Sequence, residues 1–148
     1  MAKILIVEDN ALNIKLFCDL LAAHGHEPEA VTDSRNALEA ARQFAPDLVI
    51  TDIQLPHVSG LELIRMIRGD EQLREVPIMA VTAYSTSGDE ERIRAAGAQA
   101  YVAKPISVVR FAEAVEQLLQ NSKESAENAP ENADPATDDA GSQEGGGA

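Results

Sequence analysis

The sequence predicts an open α/β domain in which five parallel strands are wound on both faces by five helices, with strand order 2-1-3-4-5. Three features predict it. Four apolar runs, at residues 4–7, 48–50, 78–81 and 100–103, are long enough for strands and too short for helices. Segments with apolar residues three and four apart alternate with these runs. Every run also stops at a polar residue, as expected where the carboxyl ends of parallel strands form a shared ligand edge.

The first strand, Ile4 to Val7, leads into a helix marked by Leu12, Leu16 and Leu20 with Phe17 and Leu21, ending near Gly25. Glu27 to Val31 reads as a second, weaker strand. Asp33 can cap the second helix, whose stripe is Ala37, Leu38, Ala41 and Phe44. After the central strand, Ser59 and Glu62 form a Ser-x-x-Glu capping box for a helix carrying Leu61, Leu63, Ile64 and Ile67. Ser87 and Glu90 repeat the box for a fourth helix, about residues 88–96, with Ile93 as its one large apolar anchor and Gly97 at its end. A fifth helix closes the body at about residue 120. Right-handed crossovers then place the switch point between strands one and three, beside Asp9 and Asp52.

Residues 1–120 form this folded body, and residues 121–148 read as a disordered acidic tail. The tail contains no Val, Ile, Leu, Met or aromatic residue, so it cannot bury enough apolar surface to offset its ordering entropy. It holds seven acids and one base; removing them from the chain's 25 acids and 12 bases leaves 18 and 11 in the body. That balance disfavours broad contact with nucleic-acid phosphates. Cys18 is the only cysteine, so no intrachain disulfide is possible. No apolar stretch approaches the roughly 20 residues of a membrane span, and no signal-peptide layout opens the chain. A cytoplasmic protein is expected.

The polar strand ends carry the chemistry: Glu8 and Asp9 after the first strand, Thr51 and Asp52 after the third, Thr82 after the fourth, and Lys104-Pro105 after the fifth. Glu8, Asp9 and Asp52 together would repel unless a hard cation joined them, and Mg²⁺ takes such oxygen ligands with waters and a phosphate oxygen. Asp52 stands alone at the end of the central strand and is the candidate nucleophile towards phosphorus, whereas the Glu8-Asp9 pair suits the metal. The Gln54 backbone carbonyl is a further candidate ligand. Thr82 and Lys104 would hold the transferred phosphoryl oxygens by hydrogen bond and by charge.

Val7-Glu8-Asp9-Asn10, Asp52-Ile53-Gln54-Leu55-Pro56, Val81-Thr82-Ala83 and Lys104-Pro105 together resemble the signature of response-regulator receiver domains, with spacings of 43, 30 and 22 residues between Asp9, Asp52, Thr82 and Lys104. Residues 8–13, 88–94 and 104–109 resemble more narrowly the DivK-type single-domain receivers of bacterial cell-cycle control. The resemblance implies a flavodoxin-like (βα)5 fold. It also implies Asp52 as acceptor of a phosphoryl group from a histidine kinase or phosphotransfer protein, Mg²⁺ on Glu8, Asp9 and Asp52, and a cis Lys104-Pro105 bond. Thr82, Ala83 and Tyr101 become the phosphoryl-binding and switch positions, and Gln54 and Tyr84 tune dephosphorylation. The fourth helix, fifth strand and fifth helix are the expected partner face, since little burial holds the fourth helix in place. The protein is expected to catalyse only its own phosphorylation and dephosphorylation, as a monomer or a weak phosphorylation-dependent dimer, with recruitment to a cell pole by a kinase. The tail has no counterpart in this resemblance.

Competing function classes fit less well. An aspartyl phosphatase needs a second Asp two residues after the nucleophile, and position 54 is Gln. A flavodoxin needs a Ser-, Thr- and Gly-rich loop after strand one, where this chain has Glu8-Asp9-Asn10-Ala11-Leu12. No P-loop or dinucleotide-binding fingerprint occurs. Two alternatives remain within the family: the receiver half of a longer regulator, and a pseudo-receiver that binds partners without phosphorylation. His57, His24, His26 and Cys18 read as structural or solvated.

Overall fold

The computed structural model describes residues 2–83 and 87–128, with side chains described through residue 121 and omitted at residue 87. Five strands, β1 (Lys3–Val7), β2 (Glu27–Val31), β3 (Leu48–Asp52), β4 (Ile78–Thr82) and β5 (Ala100–Ala103), alternate with five helices, α1 (Ala11–Ala23), α2 (Ala37–Phe44), α3 (Gly60–Arg68), α4 (Ser87–Ala96) and α5 (Val108–Asn128). All strand pairs are parallel and the order is β2-β1-β3-β4-β5, the flavodoxin-like arrangement.

The central strands β1, β3 and β4 are apolar along most of their length because helices cover both faces of the sheet. Alternate residues divide between two cores. Leu5, Val7, Val49, Ile78 and Ala80 face α2, α3 and α4, meeting Ala41, Leu63, Ile64, Ile67 and Ile93. Ile4, Ile6, Leu48, Ile50, Met79 and Val81 face α1 and α5, meeting Phe17, Leu21, Phe111 and Val115. Phe17 and Phe111 stack at 5.0 Å between ring centroids, tying α1 to α5. β2 is the charged edge: Glu27 and Glu29 are exposed and Pro28 withholds an amide donor from further pairing.

The Ser59/Glu62 capping box is present in both halves. Asp33 caps a short 3₁₀ turn at Ser34–Asn36 that feeds α2, by accepting from the Arg35 amide at 3.0 Å. Ser87's side chain lies outside the described residues, and with it the second predicted box. Two expectations are corrected. Leu12, placed on the buried stripe of the first helix, is 79% exposed, because it sits in the first turn of α1, ahead of the residues Leu16, Phe17, Leu20 and Leu21 by which the helix meets the core. The last helix also does not stop at 120: α5 continues to Asn128, through Asn-Ser-Lys-Glu-Ser-Ala-Glu-Asn, which holds no Gly or Pro to break it. The remainder of the predicted tail, residues 129–148, lies outside the described residues.

Candidate functional site

Strand register brings the polar ends together. Val7 is level with Thr51, Asp52 with Val81, and Thr82 with Ala103, so Glu8, Asp52, Thr82 and Lys104 leave four neighbouring strands at one edge. Glu8, Asp52 and Thr82 are buried, at 1%, 3% and 1% exposure, and Asp9 is exposed. Carboxylate oxygens of Glu8, Asp9 and Asp52 lie within 4.8 Å of one another. Lys104 Nζ donates to Asp52 Oδ2 at 2.7 Å, and the Gln54 amide N–H donates to Asp52 Oδ1 at 3.0 Å. The Lys104-Pro105 bond is cis.

Glu8 is oriented by its own loop: Asn10 N–H donates to Glu8 Oε2 at 3.1 Å, while the Asn10 side chain caps α1. Its other oxygen, Oε1, is buried and has no hydrogen-bond partner among the described residues. Burial, then the neighbouring Asp52 carboxylate, pushes the Glu8 carboxyl above its ordinary value, against the Asn10 hydrogen bond and the Lys104 charge. Lys104 feels burial that would lower its pKa, but the Asp52 hydrogen bond and charge, with Glu8 and Asp9, outweigh it and hold the ammonium protonated.

These features decide whether Mg²⁺ fits. Three carboxylates facing one ammonium leave two negative charges uncompensated, and an orphaned buried oxygen points to an electrophile from outside the chain. All donors are hard oxygens, the set Mg²⁺ selects. A prediction follows for the metal-free protein. Native Glu8 binds its proton more tightly than unfolded Glu8 does, so stability falls as pH rises from 4.5 through the raised native value. Thermal melts in chelator across this window should show that slope in the wild type. They should show it flattened in Glu8→Gln, whose amide oxygen can still accept from Asn10; identical slopes would mean that Glu8 is not the strained group.

The other expected residues are placed as follows. Gln54 sends its side-chain amide towards Thr82 Oγ1, at 3.5 Å. Ala83 is exposed directly after β4, and Tyr84 lies outside the described residues. Tyr101 is half-buried on β5, with its hydroxyl donating to Glu90 of α4 at 3.3 Å. Sequence reasoning missed three supports. Buried Ser34 donates to the Pro56 carbonyl at 2.9 Å and accepts from Val58 N–H at 3.2 Å, clamping the loop after Asp52, where His57 holds a positive φ of 70°. Gly60 packs its bare Cα against the Asp52 and Ile53 backbone. Arg68, at the end of α3, donates to Gly97 O, Arg74 O, Val76 O and Gln99 Oε1, joining α3 to the segments that lead into β4 and β5. A Ser, a Gly at a helix start and an Arg in a last turn are each ordinary in sequence, so nothing local marked them.

The profile described as response regulator receiver domain matches residues 4–116. The chain belongs to the response-regulator receiver family. Receiver domains are signalling proteins of two-component systems, with histidine kinases or phosphotransfer proteins as partners. The chain is 52% identical over 116 residues to the polar-differentiation response regulator DivK of Brucella ovis, covering 78% of this chain and 94% of that protein. Chemotaxis protein CheY4 of Vibrio cholerae has a similar structure, with a TM-score of 0.76 and 26% identity over 80% of this chain and 98% of that one. The receiver domain of a sensor histidine kinase from Pseudomonas aeruginosa, solved with a magnesium ion coordinated in its active-site cleft, has a TM-score of 0.74 and 32% identity over 80% and 98% of the two chains. No helix among the described residues is long and apolar enough to cross a membrane.

Proposed function

We propose that this receiver domain acts as a DivK-like stand-alone phosphorylation switch, with Asp52 as phosphoacceptor. The observation that carries the reading is the buried Asp52 carboxylate, held between Lys104 Nζ at 2.7 Å and the acidic pair Glu8 and Asp9. The DivK relative is matched over 94% of its length, so the receiver unit alone corresponds to nearly all of that protein.

In the proposed reaction an Asp52 carboxylate oxygen forms a bond to phosphorus as the P–N bond of a donor phosphohistidine breaks, the imidazole keeping the electron pair and taking up a proton. Glu8, Asp9, Asp52 and the Gln54 carbonyl would hold Mg²⁺, which supplies charge neutralisation for the phosphoryl oxygens. Lys104 follows the phosphoryl group by charge and Thr82 by its hydroxyl, with Ala83 beside it. Gln54 and Tyr84 are the positions that, by family resemblance, would tune how fast the acyl phosphate hydrolyses.

The donor side is supported by exposed apolar residues at the same edge: Leu12 at the start of α1, and Val108 and Val109 at the start of α5, at 79%, 48% and 65% exposure. The output side is α4, β5 and α5, where an open groove is lined by Tyr101, Lys104, Arg110, Glu113 and Gln117. The proposed setting is the cytoplasm, in cell-cycle or cell-fate signalling with polar recruitment by a kinase.

Acetyl phosphate with Mg²⁺ is expected to add one phosphoryl mass to the intact chain, mapped to the peptide containing Asp52. Amide exchange should then change across α4, β5 and α5. No adduct on a folded protein would reduce the chain to a pseudo-receiver that binds without phosphorylation.

A further inference from the structure

The contact that most directly bears on the proposed switch involves a residue with no assigned role. The Tyr101 hydroxyl donates to Glu90 Oε1 at 3.3 Å, and Glu90 Oε2 accepts from Arg94 Nε at 3.0 Å. Arg94 also donates from Nη1 to the Gln99 carbonyl at 2.9 Å, immediately before β5. Both oxygens of the Glu90 carboxylate are therefore engaged, one by the strand and one by its own helix. The burial that anchors α4 comes from Ile93 and Ala96, at 2% and 7% exposure, so this polar chain is a substantial part of what joins the helix to β5.

We infer that Glu90 is a positioning residue: it latches Tyr101 in the orientation that reaches α4 and so weights the equilibrium against the phosphoryl-bound state. The inference rests on the reading of Tyr101 as the switch aromatic. A hydroxyl bonded to a carboxylate is held more strongly than one bonded to a neutral acceptor. Turning Tyr101 towards the Thr82 side gives up that bond. Affinity for a phosphoryl group is reduced by the fraction of molecules that must first open the latch. Opening also removes the first turn of α4 from β5, which gives the helix a reason to move when Asp52 is modified.

The test is a beryllofluoride titration with Mg²⁺ on the full chain, read by NMR of labelled tyrosine rings. It compares wild type, Glu90→Gln, Glu90→Ala, Tyr101→Phe and the double variant Glu90→Ala/Tyr101→Phe. Glu90→Ala is expected to bind about threefold to tenfold more tightly than wild type. Before any ligand is added, its Tyr101 ring signal should already lie towards the position that the wild type reaches only when bound. Glu90→Gln keeps an acceptor oxygen and should fall between the two. In the Tyr101→Phe background the Glu90→Ala effect should vanish, because the latch has no second half.

An unchanged affinity in Glu90→Ala, or an effect that persists undiminished in the Tyr101→Phe background, overturns the latch and leaves Glu90 as a partner of Arg94 alone. Beryllofluoride that binds wild type without moving the Tyr101 ring overturns the switch reading itself, and that result is visible before any Glu90 variant is examined.

Discussion

Asp52→Asn is expected to leave a folded protein that gains no phosphoryl mass from acetyl phosphate at any Mg²⁺ concentration. The amide is nearly the same size and shape as the carboxylate, and its one oxygen can keep one of the two native bonds, from the Gln54 backbone N–H to Oδ1 at 3.0 Å or from Lys104 Nζ to Oδ2 at 2.7 Å, while the amide NH2 gives up the other. Packing at the end of β3 therefore persists. What disappears is the anionic nucleophile, since a neutral amide has no carboxylate oxygen to form the acyl phosphate. The same change takes one charge from the three-carboxylate cluster, so Mg²⁺ affinity should fall by about tenfold or more, measured by titration calorimetry. An adduct that survives in Asp52→Asn would assign the acceptor role to another side chain, with Glu8 and Asp9 the first to map.

Gly60→Ala carries the largest expected cost to stability. Position 60 is the first residue of α3, where alanine would ordinarily improve on glycine by about 0.5 to 1 kcal/mol through chain entropy and helix propensity. Here a Cβ would overlap the Asp52 carbonyl oxygen and stand 2.6 Å from Ile53 Cα and 2.9 Å from the Asp52 carbonyl carbon. All three are backbone atoms of the strand end that presents the acceptor, and Gly60 N–H already donates to Ile53 O at 3.0 Å. Backbone cannot rotate away as a side chain can, so overpacking of about 3 kcal/mol outweighs the propensity gain. A fall in Tm of roughly 10 °C is expected by calorimetry, together with weaker Mg²⁺ binding, because relief of the clash displaces Asp52. A Gly60→Ala variant as stable as wild type would mean that the α3 start can retreat from β3 without strain.

Much of the molecule was legible in the chain because its signals are local or periodic. Strands buried on both faces appear as short apolar runs, and the polar residue that ends each run is visible one position further on. Parallel pairing with right-handed crossovers then leaves little choice about which ends meet. The Asp9, Asp52, Thr82 and Lys104 positions were readable for that reason, and so was the weak anchoring of α4 through Ile93. Leu12 was misassigned because helical periodicity identifies a stripe without showing where along it contact with the core begins. The stop placed at residue 120 rested on the loss of apolar residues, whereas α5 runs on to Asn128 through a polar stretch that contains no helix breaker.

By itself, then, the sequence determined the sheet, its order and the residue types collected at its carboxyl edge, since these depend on hydrophobic period, turn chemistry and chain connectivity. Only the tertiary structure decided which atoms touch. It paired Lys104 with Asp52, left Glu8 Oε1 without a hydrogen bond among the described residues, pressed Gly60 onto the Asp52 backbone and joined Tyr101 to Glu90. Such contacts depend on side-chain orientation and on angstrom-level distances between elements far apart in the chain, which the packing of helices onto the sheet sets.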